Sequence, residues 1–206
     1  MNSRDVCELS PVIPVLTVDD AGTAAPLARA LVAGGLPALE VTLRTPAALD
    51  AIRAMAEVEG GVVGAGTLLT PADVRAAKRA GARFGVSPGF TPALLDAAAD
   101  EDLPLLPGVN TPSEVMALLE RGIDTMKFFP ASAAGGPALL KAISAPLPQA
   151  KFCPTGGISL ANAPDYLSLP NVLCVGGSWV APTQAIAQGE WGAIEQLARQ
   201  ASGSLK

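Results

Sequence analysis

TPSEVMALLERGIDTMKFFPA, residues 111–131, holds one complete structural unit. Thr111 stands before Pro112, the arrangement of an N-cap followed by proline at the first helical position, and Glu114 three residues on fits a capping box. The helix so opened predicts its own end at Gly122. The next run, TMKFFPA at 125–131, is apolar and aromatic, which suits a buried strand. Lys127 is the exception within it, a primary amine among Met126, Phe128 and Phe129.

The same unit recurs outward from this stretch. Apolar runs lie at 12–18 (VIPVLTV), 36–43 (LPALEVTL), 62–69 (VVGAGTLL) and 84–89 (FGVSPG). Others follow at 103–108 (LPLLPG), 125–131, 151–158 (KFCPTGGI) and 172–180 (VLCVGGSWV). Their starts are roughly 19–26 residues apart, the size of a strand, a loop and a short helix. Helices are predicted over 20–34, 70–81, 91–99 and 111–122; those at 70, 91 and 111 open on Thr-Pro. Strands buried on both faces and alternating with helices imply a parallel sheet. Eight units in 206 residues predict one domain, a closed (β/α)8 TIM barrel with short helices and a short N-terminal segment at 1–10. An open doubly wound sheet competes. Its usual glycine-rich dinucleotide turn is missing after the first strand, which ends TVDDAG.

Composition narrows the function. Half the residues are hydrophobic and 16% charged, enough for a large core, and the low charge hints at surface covered by an oligomer. The net charge of -5 gives no basic patch for nucleic acid. No apolar run is long enough for a membrane span, and the first residues lack a secretory pattern. Cys7, Cys153 and Cys174 lack metal-site spacing and suit reduced thiols in a cytoplasm. The chain has no histidine, and its carboxylates are not clustered, so no metal site is expected. The same absence removes Ser–His and Cys–His catalysis.

In a barrel of this kind, chemistry sits at the C-terminal strand ends. Along LPALEVTLRT, Glu40, Thr42 and Arg44 share one parity and Leu39, Val41 and Leu43 the other. The polar set should face the interior. Glu40 there is either part of a structural ion pair, with Arg44 or Lys127, or a working carboxylate. Lys78 and Lys141 fall on predicted helices, Lys151 opens a strand and Lys206 lies in the tail, so only Lys127 is centred in an apolar strand. Phe128 and Phe129 together leave its facing open. Pointing inward, it meets Glu40; burial and a nearby arginine would favour the neutral amine, whereas Glu40 favours the ammonium, so a nucleophilic Lys127 needs Glu40 engaged by Arg44, substrate or water. A desolvated lysine captures carbonyl compounds as Schiff bases. The alternative is a lysine that snorkels or pairs at the barrel mouth.

The last two strands end in TGGIS at 155–159 and GGSWV at 176–180. Such glycine pairs let backbone N–H groups approach an anion, with a following helix N-terminus adding a favourable dipole. They could equally be tight turns alone. VGAGT at 63–67 is a weaker signal, and no P-loop or dinucleotide fingerprint is present.

Taken in order, LEVTLRT at 39–45, VGAGT, SPG at 87–89, KFFPA at 127–131, FCPTGGIS at 152–159 and GGSW at 176–179 resemble one family. It is that of the class I 2-keto-3-deoxy-6-phosphogluconate (KDPG) aldolases, also described as 4-hydroxy-2-oxoglutarate (KHG) aldolases. The resemblance runs from about Pro11 to Arg199. It implies a (β/α)8 barrel, a homotrimer, a small 2-keto acid substrate, no metal and no cofactor. By the same resemblance Lys127 is the Schiff-base lysine and Glu40 the general acid/base. Arg44 and Thr67 line the pyruvate end, with Arg44 near the carboxylate, and Pro88 and Thr155 complete the pocket. Gly156, Gly157, Gly177 and Ser178 form the phosphate end. The segment before Pro11 looks shorter than in some relatives, which leaves its packing open, and Asn110 departs from the pattern. The phosphogalactonate aldolases, acting on the other C4 configuration, are the nearest rival. A barrel carrying pyridoxal phosphate on Lys127 without catalysis is a rival of another class.

Overall fold

Local signals set the helices. Thr70, Thr91 and Thr111 each adopt an extended backbone, and each side-chain oxygen accepts the N–H three residues on. Asp73 and Glu114 return the bond to the cap's own N–H, so two of these helices open on full capping boxes. The helices themselves run Pro71–Arg79, Pro92–Asp100 and Pro112–Leu119. A computed structural model describes residues 1–205; Lys206, expected in the tail, lies outside them.

The strands are β1 (Val12–Leu16), β2 (Ala38–Thr42), β3 (Val62–Gly66), β4 (Phe84–Val86) and β5 (Leu105–Leu106). After them come β6 (Gly108–Val109), β7 (Thr125–Phe128), β8 (Lys151–Pro154) and β9 (Val175–Gly177). Every pairing is parallel. Six strands form a curled sheet in the order β5-β4-β3-β2-β1-β9, and three form a second in the order β6-β7-β8. Isolated bridges, Phe152 to Val172 and Thr155 to Gly176, link the two sheets at one side. The predicted closed ring of eight strands is therefore found as an α/β fold of nine strand segments in two sheets. The reason lies in the fifth run, LPLLPG. Pro107 has no N–H to give the ladder, so the run splits into β5 and β6 around it. Its carbonyl still accepts the Lys127 N–H at 2.9 Å.

Alternation along the strands sorts side chains into two layers. Leu39, Val41, Val63, Ala65, Met126, Phe128 and Val175 join Leu27, Leu31, Ile52 and Met55 of the helices in the main core. Ile13, Ala38, Val62, Phe84, Val86, Leu106, Cys153 and Cys174 fill a second, smaller core. The helix Ser3–Cys7, capped by Asn2, inserts Val6 and Cys7 into that second core, and Ser3 Oγ donates to the Leu105 carbonyl at 2.8 Å. The short N-terminal segment is thus packed beneath the strands rather than loose. No helix among the described residues is long and apolar enough to cross a membrane.

Candidate active site

Strand phase decides what Lys127 can reach. Met126 and Phe128 go to the helix-facing core, so Lys127 faces the interior, and it is buried. Cys153 is its register partner on β8. Glu40, in the middle of β2, also faces inward and is buried. Lys127 Nζ lies 3.5 Å from Glu40 Oε1 and 5.1 Å from the centroid of the Phe129 ring.

Among the described residues Glu40 Oε1 has no hydrogen-bond partner. The 3.5 Å to Nζ is ion-pair distance, too long for a good hydrogen bond. Burial pushes the Glu40 carboxyl above the usual carboxylate range; the charge of Lys127, and less so that of Arg44, pulls it back without cancelling the rise. A carboxyl group so placed holds a proton more readily than a solvated one and has an oxygen free to pass it on. The sequence allowed Glu40 a partner in either Arg44 or Lys127, and the partner is Lys127. Arg44 instead donates from Nε to Thr42 Oγ1 at 3.0 Å and from Nη2 to Thr17 Oγ1 at 2.8 Å.

These groups open on a cavity of about 330 Å³ at the C-terminal strand ends. All ten residues proposed from the sequence line it: Lys127, Glu40, Arg44, Thr67, Pro88 and Thr155, with Gly156, Gly157, Gly177 and Ser178 at the glycine turns. Thr67, just beyond β3, has a φ of 62°, a conformation a threonine holds only where its surroundings fix it. Val15, Thr42, Phe129, Ile158 and Gly176 also line the cavity and were not proposed. The parity of Glu40 already pointed to Thr42. Phe129 and Ile158 read as core, and nothing in their sequence context marks them otherwise. A larger groove of about 570 Å³ lies by the N-terminal helix, at the other ends of β5 and β7. It contains neither Lys127 nor Glu40, and the ion pair in it, Arg4 with Asp124, is exposed.

The first glycine turn is oriented by its neighbours. The Thr155 carbonyl accepts from Ala131 N–H at 2.8 Å and the Gly156 carbonyl from Ser132 N–H at 3.0 Å. In a trans peptide the carbonyl and the following N–H point in opposite directions. The N–H groups of Gly156 and Gly157 therefore turn away from the 131–132 segment, and both residues line the cavity. Positive φ values of 101° and 76° make this succession possible and require glycine. Successive N–H groups on one side form a concave anion site. The expected help from a helix N-terminus is not found: the helices that follow, Ala163–Leu167 and Thr183–Gln188, are short and begin well beyond the turns.

A family model described as KDPG and KHG aldolase matches residues 4–197. The chain belongs to the KDPG and KHG aldolase family. A KHG/KDPG aldolase of Escherichia coli (strain K12) is 50% identical over 206 residues, which are 100% of this chain and 97% of the relative. A KDPG aldolase from Legionella pneumophila, solved with pyruvate captured at low pH as a covalent carbinolamine intermediate, superposes with a TM-score of 0.96. It is 48% identical, with 98% of this chain and 99% of that chain covered. Native KDPGal is more distant, at 27% identity and a TM-score of 0.79 over 93% of this chain and 95% of that one.

Proposed function

We propose that the protein is a class I aldolase that cleaves KDPG to pyruvate and glyceraldehyde 3-phosphate, and 4-hydroxy-2-oxoglutarate to pyruvate and glyoxylate. The observation that carries this reading is the interior pair of Lys127 Nζ and Glu40 Oε1, 3.5 Å apart at the floor of the cavity. Membership of the family supports it, as does the covalent pyruvate adduct of the Legionella pneumophila relative.

The chemistry follows from the pair. Glu40 takes a proton from the lysine, and Nζ adds to the C2 carbonyl of the 2-keto acid. The carbinolamine loses water, with Glu40 returning a proton to the departing hydroxyl. The iminium so formed accepts electrons from the C3–C4 bond. Glu40 removes the proton of the C4 hydroxyl, the bond breaks, and the aldehyde leaves. The enamine takes a proton at C3, and water releases pyruvate from Lys127. Arg44 binds the carboxylate of the keto acid, with Thr67, Pro88 and Thr155 shaping that end. Orientation of the ketone over the amine contributes several kcal/mol. Gly156, Gly157, Gly177 and Ser178 bind the far phosphate, so remote binding helps the reacting centre.

Borohydride added with pyruvate should leave a reduced adduct on Lys127, mapped by peptide mass. An unlabelled Lys127, or a Lys127→Ala variant that still cleaves KDPG, contradicts the reading. A coupled assay of pyruvate release compares the two substrates. The phosphogalactonate activity is disfavoured by the 27% identity to KDPGal against 50% and 48% for the KDPG relatives. Comparing the two C4 epimers tests it. The pyridoxal-phosphate carrier predicts absorbance near a Schiff-base chromophore in the purified protein and leaves Glu40 and Arg44 without work.

Three coarser features complete the proposal. The two sheets act as one closed (β/α)8 barrel in a single domain, with β5 and β6 one strand interrupted at Pro107. The bridges of Phe152 to Val172 and of Thr155 to Gly176, with the β9–β1 pairing, support that closure. The protein is a homotrimer, for which exposed Leu69 and Met116 are apolar surface to cover. It works in the cytoplasm, where its three unpaired cysteines stay reduced.

A further inference from the structure

Two side chains hold the third carbonyl of the glycine turn. Ser132 Oγ donates to the Gly157 carbonyl at 3.0 Å, and Asn162 Nδ2 donates to the same oxygen at 2.9 Å. Among the described residues no backbone N–H reaches it. The 157–158 peptide plane is thus set by side chains alone, whereas the two planes before it are set by backbone. Asn162 is itself fixed, because its Oδ1 accepts the Ser159 N–H at 2.8 Å. Ser132 Oγ also lies 3.3 Å from the hydroxyl of Tyr166, whose side chain is buried.

We propose that Ser132 and Asn162 are positioning residues that keep the Ile158 N–H turned into the cavity as a third donor to the phosphate of the substrate. This rests on the aldolase reading, in which the glycine turn takes that phosphate. With the Gly157 carbonyl held toward Ser132 and Asn162, the following N–H points the opposite way. Ile158 lines the cavity, and among the described residues its N–H has no partner. Gly157 imposes little restraint of its own, since glycine tolerates many backbone conformations. Released from its two donors, the plane can turn over and present a carbonyl oxygen where a phosphate oxygen should sit. An acceptor facing an anion repels it. Among the described residues no lysine or arginine lines the turn, and the cations that line the cavity are Lys127 and Arg44, both assigned to the keto-acid end. At this turn the affinity for phosphate therefore rests on backbone donors, and losing one of its three should be felt.

The test uses the full-length protein with Ser132→Ala, Asn162→Ala and Ser132→Thr, the last keeping the hydroxyl. Inorganic phosphate is titrated while the Gly157 and Ile158 amide resonances are followed. The ratio of kcat/KM on KDPG to kcat/KM on 4-hydroxy-2-oxoglutarate is measured alongside. The expected result is that phosphate moves both amides in the wild type. Each alanine variant should weaken phosphate binding and lower the ratio about tenfold, and threonine should restore both to within about threefold. A merely structural role would lower the melting temperature without moving the ratio. Wild-type amides indifferent to phosphate, or alanine variants whose ratio and phosphate affinity stay within about twofold, overturn the proposal. Borohydride labelling of Lys127 with pyruvate judges the aldolase reading separately, because it needs no phosphate.

Discussion

Substituting Gly66 by alanine tests the placement of Glu40 without touching any reacting group. Gly66 ends β3, opposite Thr42 in register. A Cβ at Gly66 would stand 2.2 Å from Glu40 Oε1, 2.7 Å from its Cγ and 2.8 Å from its Cδ. Non-bonded heavy atoms settle about 3.5 Å apart, so the carboxyl must retreat by about 1 Å. The backbone of Gly66 is not in the left-handed region, so alanine brings bulk and no conformational strain. A displacement of about 1 Å from a productive geometry can cost about 100-fold in rate, equivalent to about 2.7 kcal/mol in the barrier. The assay is pyruvate release from KDPG, coupled to a dehydrogenase, in the wild type and Gly66→Ala. The expected outcome is a kcat about 100-fold lower, with KM changed much less, because Arg44 and the glycine turns are undisturbed. A Gly66→Ala enzyme within about threefold of wild-type kcat would refute the claim that the carboxyl over Gly66 does the proton transfers.

Glu40→Gln should abolish the acidic limb of the kcat/KM profile, whose midpoint in the wild type should lie above the ordinary value of about 4.3 because burial raises this carboxyl. A raised folded-state pKa gives stability that is full below the unfolded value and lost as pH rises through the folded one. The stability difference should therefore move in favour of Glu40→Gln across that interval, as read by denaturant melts at several pH values. Arg44→Met should raise KM for the keto acid by about 10-fold to 100-fold, the loss expected for a charge-assisted contact; an unchanged KM would remove Arg44 from the carboxylate. Thr111→Ala deletes the cap of the helix Pro112–Leu119 and should cost about 1 kcal/mol. For a chain of this size that is a fall of about 2–4 °C in Tm by calorimetry.

Local periodicity made much of this legible. The Thr-Pro caps mark three helix starts, and alternation along β2 places Glu40 and Thr42 on the inner face. Lys127 was different. Phe128 and Phe129 share its neighbourhood with opposite parities, so apolar pattern alone could not orient it. β7 ends at Phe128, and Phe129 leaves the alternation to lie over the amine. Proline splits the LPLLPG run, and a run of apolar residues does not reveal where its ladder fails. Pairings far apart in sequence were also hidden. Arg44 leans on Thr17, 27 residues away, and Gly157 leans on Ser132, 25 away. The glycines of VGAGT looked weak because their reasons sit on other strands: the Phe84 ring crowds Gly64, and the Glu40 carboxyl crowds Gly66.

A fold that needed only to fill its interior would not have chosen Lys127 and Glu40. At 3.5 Å, two unit charges attract by about 5 kcal/mol at an effective dielectric of 20. Removing both from water costs several kcal/mol per ion, so the pair gains little or nothing for the fold. The layer beneath them is filled by Ile13, Ala38, Val62 and Phe84, which carry no such penalty. The double variant Glu40→Leu/Lys127→Met should therefore be at least as stable as the wild type, by up to about 4 kcal/mol, while losing pyruvate labelling and cleavage altogether. Each single replacement should be the less stable form, because it strands one uncompensated charge. A double variant destabilised by more than about 2 kcal/mol would mean that the pair is a strut of the fold, and the argument from its cost to its chemistry would fail.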